Sequence, residues 1–355
     1  MAVQHFENLT PDNGAIRDLR ELINLTAYKD ELLEALFTTM TSAVNGKKLG
    51  FIGDMEDVGK KATSQCNPTY GKAKIEAVEK TWELGSWQIP LELCVDDIMG
   101  TIAEYTIATG TNKGDLTSND YMRLVYRPAL EKAVRKMMWR ILWFGDKDAK
   151  NVTSSGVITD GVSTDLFNMT DGFWKRLFAI TTANEGQKTT IEANTQATTA
   201  LQKSSLLTEG VATGIVDKLL MDADPRIATL DGAAIFMTKS LADALTYDVK
   251  KVYKNIMPWE VVFDGVQMAN YNGIPVYAIS IWDRMIMQYQ NNGTKLNIPH
   301  RAVFTAPKNL LAGAPGSLFS DLDIFFDRKA RTTNIYATGD LGTLIAEDAL
   351  VQVAC

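Results

Sequence analysis

The feature that most constrains this chain is a long polar, glycine-rich stretch, residues 46–90, that leads towards a long amphipathic helix. The stretch has too little apolar sequence to build a core of its own. Connections longer than about 12–15 residues inside a compact domain are usually functional or disordered. We therefore interpret residues 46–90 as an extended loop that lies on a neighbouring subunit, which favours an assembly protein over an enzyme.

The end of this loop has the alternation of a β-strand. Trp82, Leu84, Trp87, Ile89 and Leu91 stand at largely alternate positions, as apolar residues on one face of a strand do. Because the loop lacks a core, we expect its apolar side chains to be buried only between subunits, with the two tryptophans as anchors. Trp82, Leu84, Trp87 and Ile89 are therefore predicted residues of an assembly interface.

The long helix is predicted from about Asn119 to Phe144, since its apolar residues recur at helical spacing. Pro128 interrupts it and predicts a bend or a new helix start. Its polar face consists of four charged residues: Glu131, Lys132, Arg135 and Lys136. Because Glu131 dilutes the positive charge, we interpret this face as solvated or intersubunit rather than phosphate-binding.

The other periodic segments predict an α+β fold of short elements. Predicted helices include one from Tyr28 that Asn45-Gly46 stops, Leu91–Thr109, a short helix from Asp171, and a helix to Val252 that Ser240 caps. Predicted strands are 233–238, 260–263, 274–280, 322–327, 332–337 and 350–353, the second and third being joined across Asn270–Gly273. Residues 183–210 are polar without sustained periodicity, which predicts an exposed loop.

Composition excludes several classes of protein. No run of eighteen apolar residues occurs, so no membrane span is predicted. A net charge of −7 argues against a dedicated nucleic-acid binder, although not against a protein that merely encloses DNA. Three widely spaced cysteines (Cys66, Cys94 and Cys355) fit reduced thiols in a cytoplasm. With only His5 and His300, a transition-metal site is not expected, and no cofactor is predicted.

Motifs of the common enzyme classes do not occur. The sequence has no glycine-rich dinucleotide or phosphate loop and no G-x-S-x-G elbow. Three acidic pairs could support hydrolysis, although such pairs more often cap helices and turns: Asp96 with Asp97, Asp222 with Asp224, and Asp321 with Asp323. We therefore predict a protein that is not an enzyme, and keep a hydrolase using one acidic pair as an alternative.

In their order, these parts resemble the major capsid proteins of tailed bacteriophages with the Hong Kong 97 fold. The resemblance rests on the loop at 46–90, the approach Ile89–Asp97, the long helix, the turn Phe144–Asp146 with Ser155–Ile158, and the segments Ala234–Leu245 and Tyr271–Tyr277. It covers nearly the whole chain. A cellular nanocompartment shell protein of the encapsulin kind is an alternative with the same fold.

The resemblance implies a set of domains. These are an N-terminal arm and helix at 1–45, an extended loop at 46–90, a peripheral domain with the spine helix at 91–150 and 317–342, and an axial domain at 151–316 and 343–355. It also implies self-assembly into hexamers and pentamers of an icosahedral head, which encloses double-stranded DNA without sequence-specific binding. The expected partners are a portal and separate scaffold or decoration proteins, and the location is the virion capsid, assembled in the host cytoplasm.

A basic turn lies between two of the predicted C-terminal strands. Arg328, Lys329 and Arg331 place three positive charges within four residues. The resemblance implies that this turn meets its copies around a local threefold axis, where each charge needs an acidic neighbour. We therefore include these three residues in the predicted assembly interface.

Overall fold

The computed structural model describes residues 36–55, 75–94, 127–252, 254–263, 265–315, 322–327, 329 and 332–355. The α-helices of these residues are α1 (Arg127–Phe144), α2 (Phe173–Ala183), α3 (Thr199–Leu206), α4 (Val211–Met221), α5 (Lys239–Val252) and α6 (Ser280–Tyr289). The strands are β1 (Thr38–Met40), β2 (Lys48–Met55), β3 (Ile75–Thr81), β4 (Gly85–Cys94), β5 (Lys188–Thr189), β6 (Ala234–Thr238), β7 (Glu260–Phe263), β8 (Val266–Tyr271), β9 (Ile274–Ile279), β10 (Ala302–Thr305), β11 (Leu310–Gly313), β12 (Leu322–Asp327), β13 (Thr332–Ile345) and β14 (Gln352–Ala354). The chain is thus α+β, as predicted.

A seven-stranded mixed sheet has the order β5-β14-β10-β6-β9-β8-β7. Its central strand β6 is buried throughout, because successive side chains enter two different cores. Phe236 faces the core that contains α1, α2 and α6, whereas Ile235 and Met237 face the core that contains α4 and α5. A sheet covered on both faces has continuously apolar strands, and this explains the run at 233–238.

An aromatic cluster joins the long helix to its neighbours. The ring centroid of Trp143, on α1, lies 4.5 Å from that of Trp282 on α6 and 5.0 Å from that of Phe173 on α2. Trp174 packs edge-on against Trp282, with 4.9 Å between the ring centroids. All four side chains are almost completely buried, so these tryptophans belong to the core of the subunit.

The second large sheet has five strands and is organised by the long strand β13. β13 pairs antiparallel with β4 and β12 in its first part and with β11 in its last four residues, and β1 adds to β11 in parallel. Strands β2 and β3 form a separate antiparallel pair. Residues 85–94 are therefore hydrogen-bonded to residues about 250 positions later, a pairing that no local pattern predicts.

Two predicted helices are wrong where the structure describes them. Residues 38–40 form strand β1 rather than the end of a helix, because they pair with Leu311–Gly313. Residues 91–94 continue strand β4, because they pair with Thr332–Ile335. In both places a distant partner strand overrides the local apolar spacing. The remaining parts of these two predictions lie outside the described residues.

The predicted exposed loop at 183–210 is also wrong. It contains helix α3 and strand β5, and Ile191, Gln202 and Leu206 are buried. The amide of Gln202 donates to the carbonyls of Asn194 and Leu296, so a polar residue here serves as an internal tie. A polar composition alone does not distinguish a segment with such buried hydrogen-bonding side chains from a solvated loop.

Helix α5 ends at Val252, as predicted, but its cap is not Ser240. The helix begins at Lys239, and the carboxylate of Asp283, on α6, accepts from the amides of Lys239 and Ser240 at 2.6 and 3.1 Å. The predicted link at 270–273 is replaced by strand β8 and a two-residue turn at Asn272 and Gly273, both with positive φ. Strand β13 is eight residues longer than predicted.

The described part of the long helix is α1, eighteen residues, or about 27 Å at 1.5 Å per residue. Its predicted end at Phe144 is confirmed, and Pro128 lies in its first turn, where proline is tolerated. The predicted start at Asn119 lies outside the described residues.

Candidate assembly surface

Trp82 anchors the base of the β2–β3 hairpin inside the subunit. Its side chain is 2% exposed and packs in a small apolar cluster with Ala43, Leu311 and Leu344. A Cβ atom added to Gly313 would lie only 2.5 Å from the indole ring, so a glycine is needed opposite this side chain. The pocket for Trp82 is therefore built by the chain itself.

Backbone hydrogen bonds close the hairpin at the same place. The amide of Gly46 donates to the carbonyl of Trp82 at 2.9 Å, and the amide of Trp82 donates to the carbonyl of Lys47 at 3.0 Å. The amide of Leu84 donates to the side-chain oxygen of Asn45 at 3.3 Å. The base of the hairpin is thus fixed to the rest of the subunit.

The segment between β3 and β4 is tied to the turn after α1. Glu83 forms an ion pair with Lys147, with 2.7 Å between oxygen and nitrogen, and this hydrogen bond lowers the pKa of the Glu83 carboxyl group. A Cβ atom at Gly342 would lie 2.6 Å from the carbonyl oxygen of Glu83, and one at Gly85 would overlap the carbonyl of Met169. Close backbone contacts hold this segment against the sheet.

Trp87 is buried in the main core, at 1% exposure, and lies opposite Gly339 of β13. Since Trp82 is buried as well, the expectation that both tryptophans leave their apolar surface for a neighbouring subunit is wrong. The cause is long-range packing within one chain: the pairing of β4 with β13 places Trp87 in the main core, whereas Ala43, Leu311 and Leu344 cover Trp82. Leu84 and Ile89 are half-buried, and a role for them at a subunit interface stays a prediction.

The outer face of the five-stranded sheet carries exposed aromatic side chains. Phe325 of β12 is 48% exposed and lies opposite Asn334, and Tyr336, two residues further along β13, is 39% exposed. Pro90 lies opposite Tyr336, whose hydroxyl group is 3.2 Å from the side-chain oxygen of Gln88. We call Phe325, Tyr336 and Pro90 the outer aromatic patch. Phe325 and Tyr336, aromatic residues in two predicted neighbouring strands, were a usable signal for this patch.

Exposed apolar side chains also occur at the end of the other sheet. Strand β7 is the outermost strand of the seven, so one side of its backbone has no partner strand in the described sheet. Val261 and Val262 on this strand, and Ile256 before it, are 72%, 44% and 79% exposed. We call these three residues the edge patch.

The predicted basic turn is only partly described. Lys329 is exposed, and its amide donates to the carboxylate of Asp327 at 2.7 Å. Arg328 and Arg331 lie outside the described residues, so their contact with neighbouring copies stays a prediction.

The acidic pair at Asp222 and Asp224 has the geometry of a turn. Arg226 donates from its guanidinium group and its amide to the Asp224 carboxylate, and these bonds lower the pKa of Asp224. Asp96, Asp97 and Asp321 lie outside the described residues.

The side chains of His300 and Ser240 lie within hydrogen-bonding distance, with 2.9 Å between Nδ1 and Oγ. Asp283 caps helix α5 instead of bonding to His300, whose Nε2 atom is buried with no hydrogen-bond partner in the described residues. The cavity beside them, about 30 Å³, has room for about one water molecule. Burial lowers the pKa of His300 to about 4, so this imidazole is neutral at pH 7.

The described residues lack the features of a membrane span and of a metal site. None of their helices combines the length and apolarity that crossing a bilayer requires. The same residues contain no group of three or more His, Cys, Asp or Glu side chains that could hold a metal ion.

Neither a protein-family model nor a curated protein sequence matches the chain. Among solved structures, a chain of the satellite phage P4 procapsid including size determination (Sid) protein aligns with a TM-score of 0.50 at 11% identity, over 94% of this chain and 97% of that chain. A chain from Gordonia phage Cozz (TM-score 0.48, 9% identity, 91% and 85% coverage) and one from the capsid of the native GTA particle (0.48, 12%, 93% and 89%) also align. This chain shares the fold of the P4 procapsid chain.

Proposed function

We propose that this chain is the major capsid protein of a tailed phage, a structural subunit that assembles into an icosahedral head around double-stranded DNA. The observation that carries the proposal is the fold similarity to the P4 procapsid chain, which extends over 94% of this chain and 97% of that one. A similarity confined to one domain would leave the role of the rest open. Here the similarity extends over nearly the full length of both chains.

The exposed apolar surfaces support self-assembly independently of that similarity. The outer aromatic patch and the edge patch lie on different sheets, so one subunit exposes apolar side chains to water at two separate places. Apolar surface exposed in patches commonly marks a site of protein contact. A subunit that contacts several copies of itself needs at least two such surfaces, whereas a simple twofold dimer needs one.

The proposed subunit has the Hong Kong 97-type arrangement of arm, extended loop, spine helix, peripheral domain and axial domain, with the boundaries given above. The pairing of residues 91–94 with residues 332–335 supports a peripheral domain made from both 91–150 and 317–342, because it joins these parts of the chain. The pairing of β14 with β10 likewise supports joining 343–355 to the axial domain. The subunit is proposed to have no enzymatic role and no cofactor, and to form hexamers and pentamers with a portal and separate scaffold or decoration proteins.

The test is assembly of the purified full chain, measured by sedimentation velocity and negative-stain microscopy. We expect closed particles, or free hexamers and pentamers. A Phe325→Glu/Tyr336→Glu variant should remain folded by circular dichroism but assemble less, because it places two charges on the outer aromatic patch. Lys308→Glu is the matched control, since Lys308 is an exposed residue elsewhere on the surface. A wild-type chain that stays monomeric at high concentration would contradict the proposal.

A further inference from the structure

Helix α1 is strongly basic within an acidic protein. Five of its eighteen residues are Lys or Arg and one is Glu, whereas the whole chain has a net charge of −7. Its apolar stripe is buried against α2 and α6, so the charged arc is the side that faces away from the core. Arg140 is half-buried and donates from Nε to the carbonyl of Leu166 at 3.0 Å, so the exposed positive charge comes from the other cations of the helix.

Helix α6 lies beside α1 and extends this surface. The two helices meet through Trp143 and Trp282, whose ring centroids are 4.5 Å apart. At the other end of the contact, Lys136 Nζ donates to the side-chain oxygen of Gln288 at 3.0 Å and lies 5.4 Å from the ring centroid of Tyr289. These contacts place the exposed sides of α1 and α6 on one continuous surface.

Three cations lie on this surface. Lys132 is exposed and stands one helical turn before Lys136, so both project from the same side of α1. Arg284 is exposed on α6 and stands one turn before Gln288, the residue that contacts Lys136. We call Lys132, Lys136 and Arg284 the basic face.

The carboxylates on these two helices are already engaged. Glu131 lies 3.3 Å from the guanidinium group of Arg135, so the two opposite charges offset each other and the charges of Lys132 and Lys136 remain in excess. Asp283, on the other side of α6, accepts from the amides of Lys239 and Ser240. The sequence-based objection that Glu131 dilutes the positive charge therefore loses its force.

We propose that the basic face contacts the phosphate backbone of double-stranded DNA. This inference rests on the proposed function, because a shell subunit must turn one surface towards the enclosed genome. Exposed cations without an apolar pocket suit phosphate contacts, which position DNA without reading its sequence. The one exposed large apolar side chain on the described part of α1 and α6 is Met287, which gives an acidic protein partner little to pack against. With three cations per subunit, the contact of each subunit with DNA is weak. The contacts of many subunits around a shell together give a higher affinity.

The test measures binding of the unassembled full chain to a short fluorescein-labelled DNA duplex by fluorescence anisotropy across a salt series. Lys132→Gln/Arg284→Gln removes two of the three cations, so we expect the slope of log affinity against log salt to fall by about 2. Lys48→Gln/Lys308→Gln is the matched control, because it removes two exposed lysines from other surfaces and should keep the wild-type slope. Circular dichroism establishes that both variants are folded.

Three results would contradict the proposal that the basic face contacts DNA. These are no binding by the wild type at low salt, an unchanged salt slope in Lys132→Gln/Arg284→Gln, and an equal decrease of the slope in the control variant. Tighter binding to poly-L-glutamate than to DNA would also overturn it, in favour of an acidic protein partner. Microscopy of the same preparations separates this inference from the proposed function. If the wild type forms shells but does not bind DNA, only the proposed DNA contact is refuted. If the chain binds DNA but never assembles, the proposed role as a shell subunit is refuted.

Discussion

The seven-stranded and five-stranded sheets of this subunit differ in how many of their faces the chain covers. In the seven-stranded sheet, Phe236 and its neighbours Ile235 and Met237 enter cores on opposite faces. In the five-stranded sheet, Ile335 is buried on the inner face while Phe325 and Tyr336 remain exposed on the outer one. Both sheets use aromatic and branched side chains, so composition alone does not distinguish them.

This difference separates stability from assembly. Residues between two covered faces contribute to the free energy of unfolding of the single subunit, because unfolding exposes their whole apolar area to water. Residues on an uncovered face contribute little to that free energy and become important only when a second copy covers them. Substitutions on the two sheets should therefore affect different measurements.

The largest expected effect is that of Phe236→Ala in strand β6. Its side chain is completely buried, so the substitution should lower the free energy of unfolding by about 3–5 kcal/mol. Urea denaturation of the unassembled subunit measures this change. Tyr336→Ala serves as the comparison and should cost less than about 1 kcal/mol. An equal loss of unfolding free energy in the two variants would contradict the distinction between a sheet covered on both faces and one with an uncovered face.

Trp82→Ala should destabilise the subunit by about 3 kcal/mol, because it empties the pocket opposite Gly313. The same urea experiment measures it, with sedimentation velocity of the folded fraction as the second readout. If stability is unchanged and assembly is lost, the original assignment of Trp82 to a subunit interface is right after all. Trp82 would then belong with the residues that are covered by a second copy and not with those covered within the subunit.

Acid should weaken the subunit through His300, which lies among the covered elements. Its pKa is about 4 when folded and 6.5 when unfolded, so between these values the unfolded chain binds more protons and stability falls as the pH falls. We expect a loss of about 2 kcal/mol between pH 6.5 and about pH 5 from this group. His300→Gln should flatten this part of the stability profile. An unchanged slope in the variant would show that His300 is not the group responsible.

The smallest effect on subunit stability is expected from shortening the β2–β3 hairpin. Replacing the residues between Leu49 and Lys80 with an Asn-Gly turn keeps these paired positions and leaves the base at Trp82 intact, so the unfolding free energy should change by less than about 1 kcal/mol. Shell formation, followed by light scattering, should be lost, because the extended loop is the proposed link to neighbouring subunits. Particles of normal size would show that the loop is dispensable.

Local sequence patterns predicted the elements that have a clear local signal, such as an unbroken apolar run or a glycine at the end of a helix. Strand β6 was found because burial on both faces gives an unbroken apolar run, and the end of α1 was found because Gly145 follows its last apolar residue. Strand β8 was missed, and its link to β9 was placed correctly only at the turn of Asn272 and Gly273. The exposed aromatics Phe325 and Tyr336 were not selected, although their strands were predicted with nearly correct bounds.

By itself, the sequence determined the α+β class, the long amphipathic helix and the order of parts that resembles a capsid protein. Only the tertiary structure decided where Trp82 and Trp87 lie. Trp82 and Trp87 have the alternation of an exposed strand, but β13 and Gly313, more than two hundred residues later, supply their cover. Asp283 likewise caps a helix more than forty residues earlier in the chain. Side-chain spacing fixes which face of an element is apolar, whereas the partner that covers this face is chosen by the packing of the whole chain.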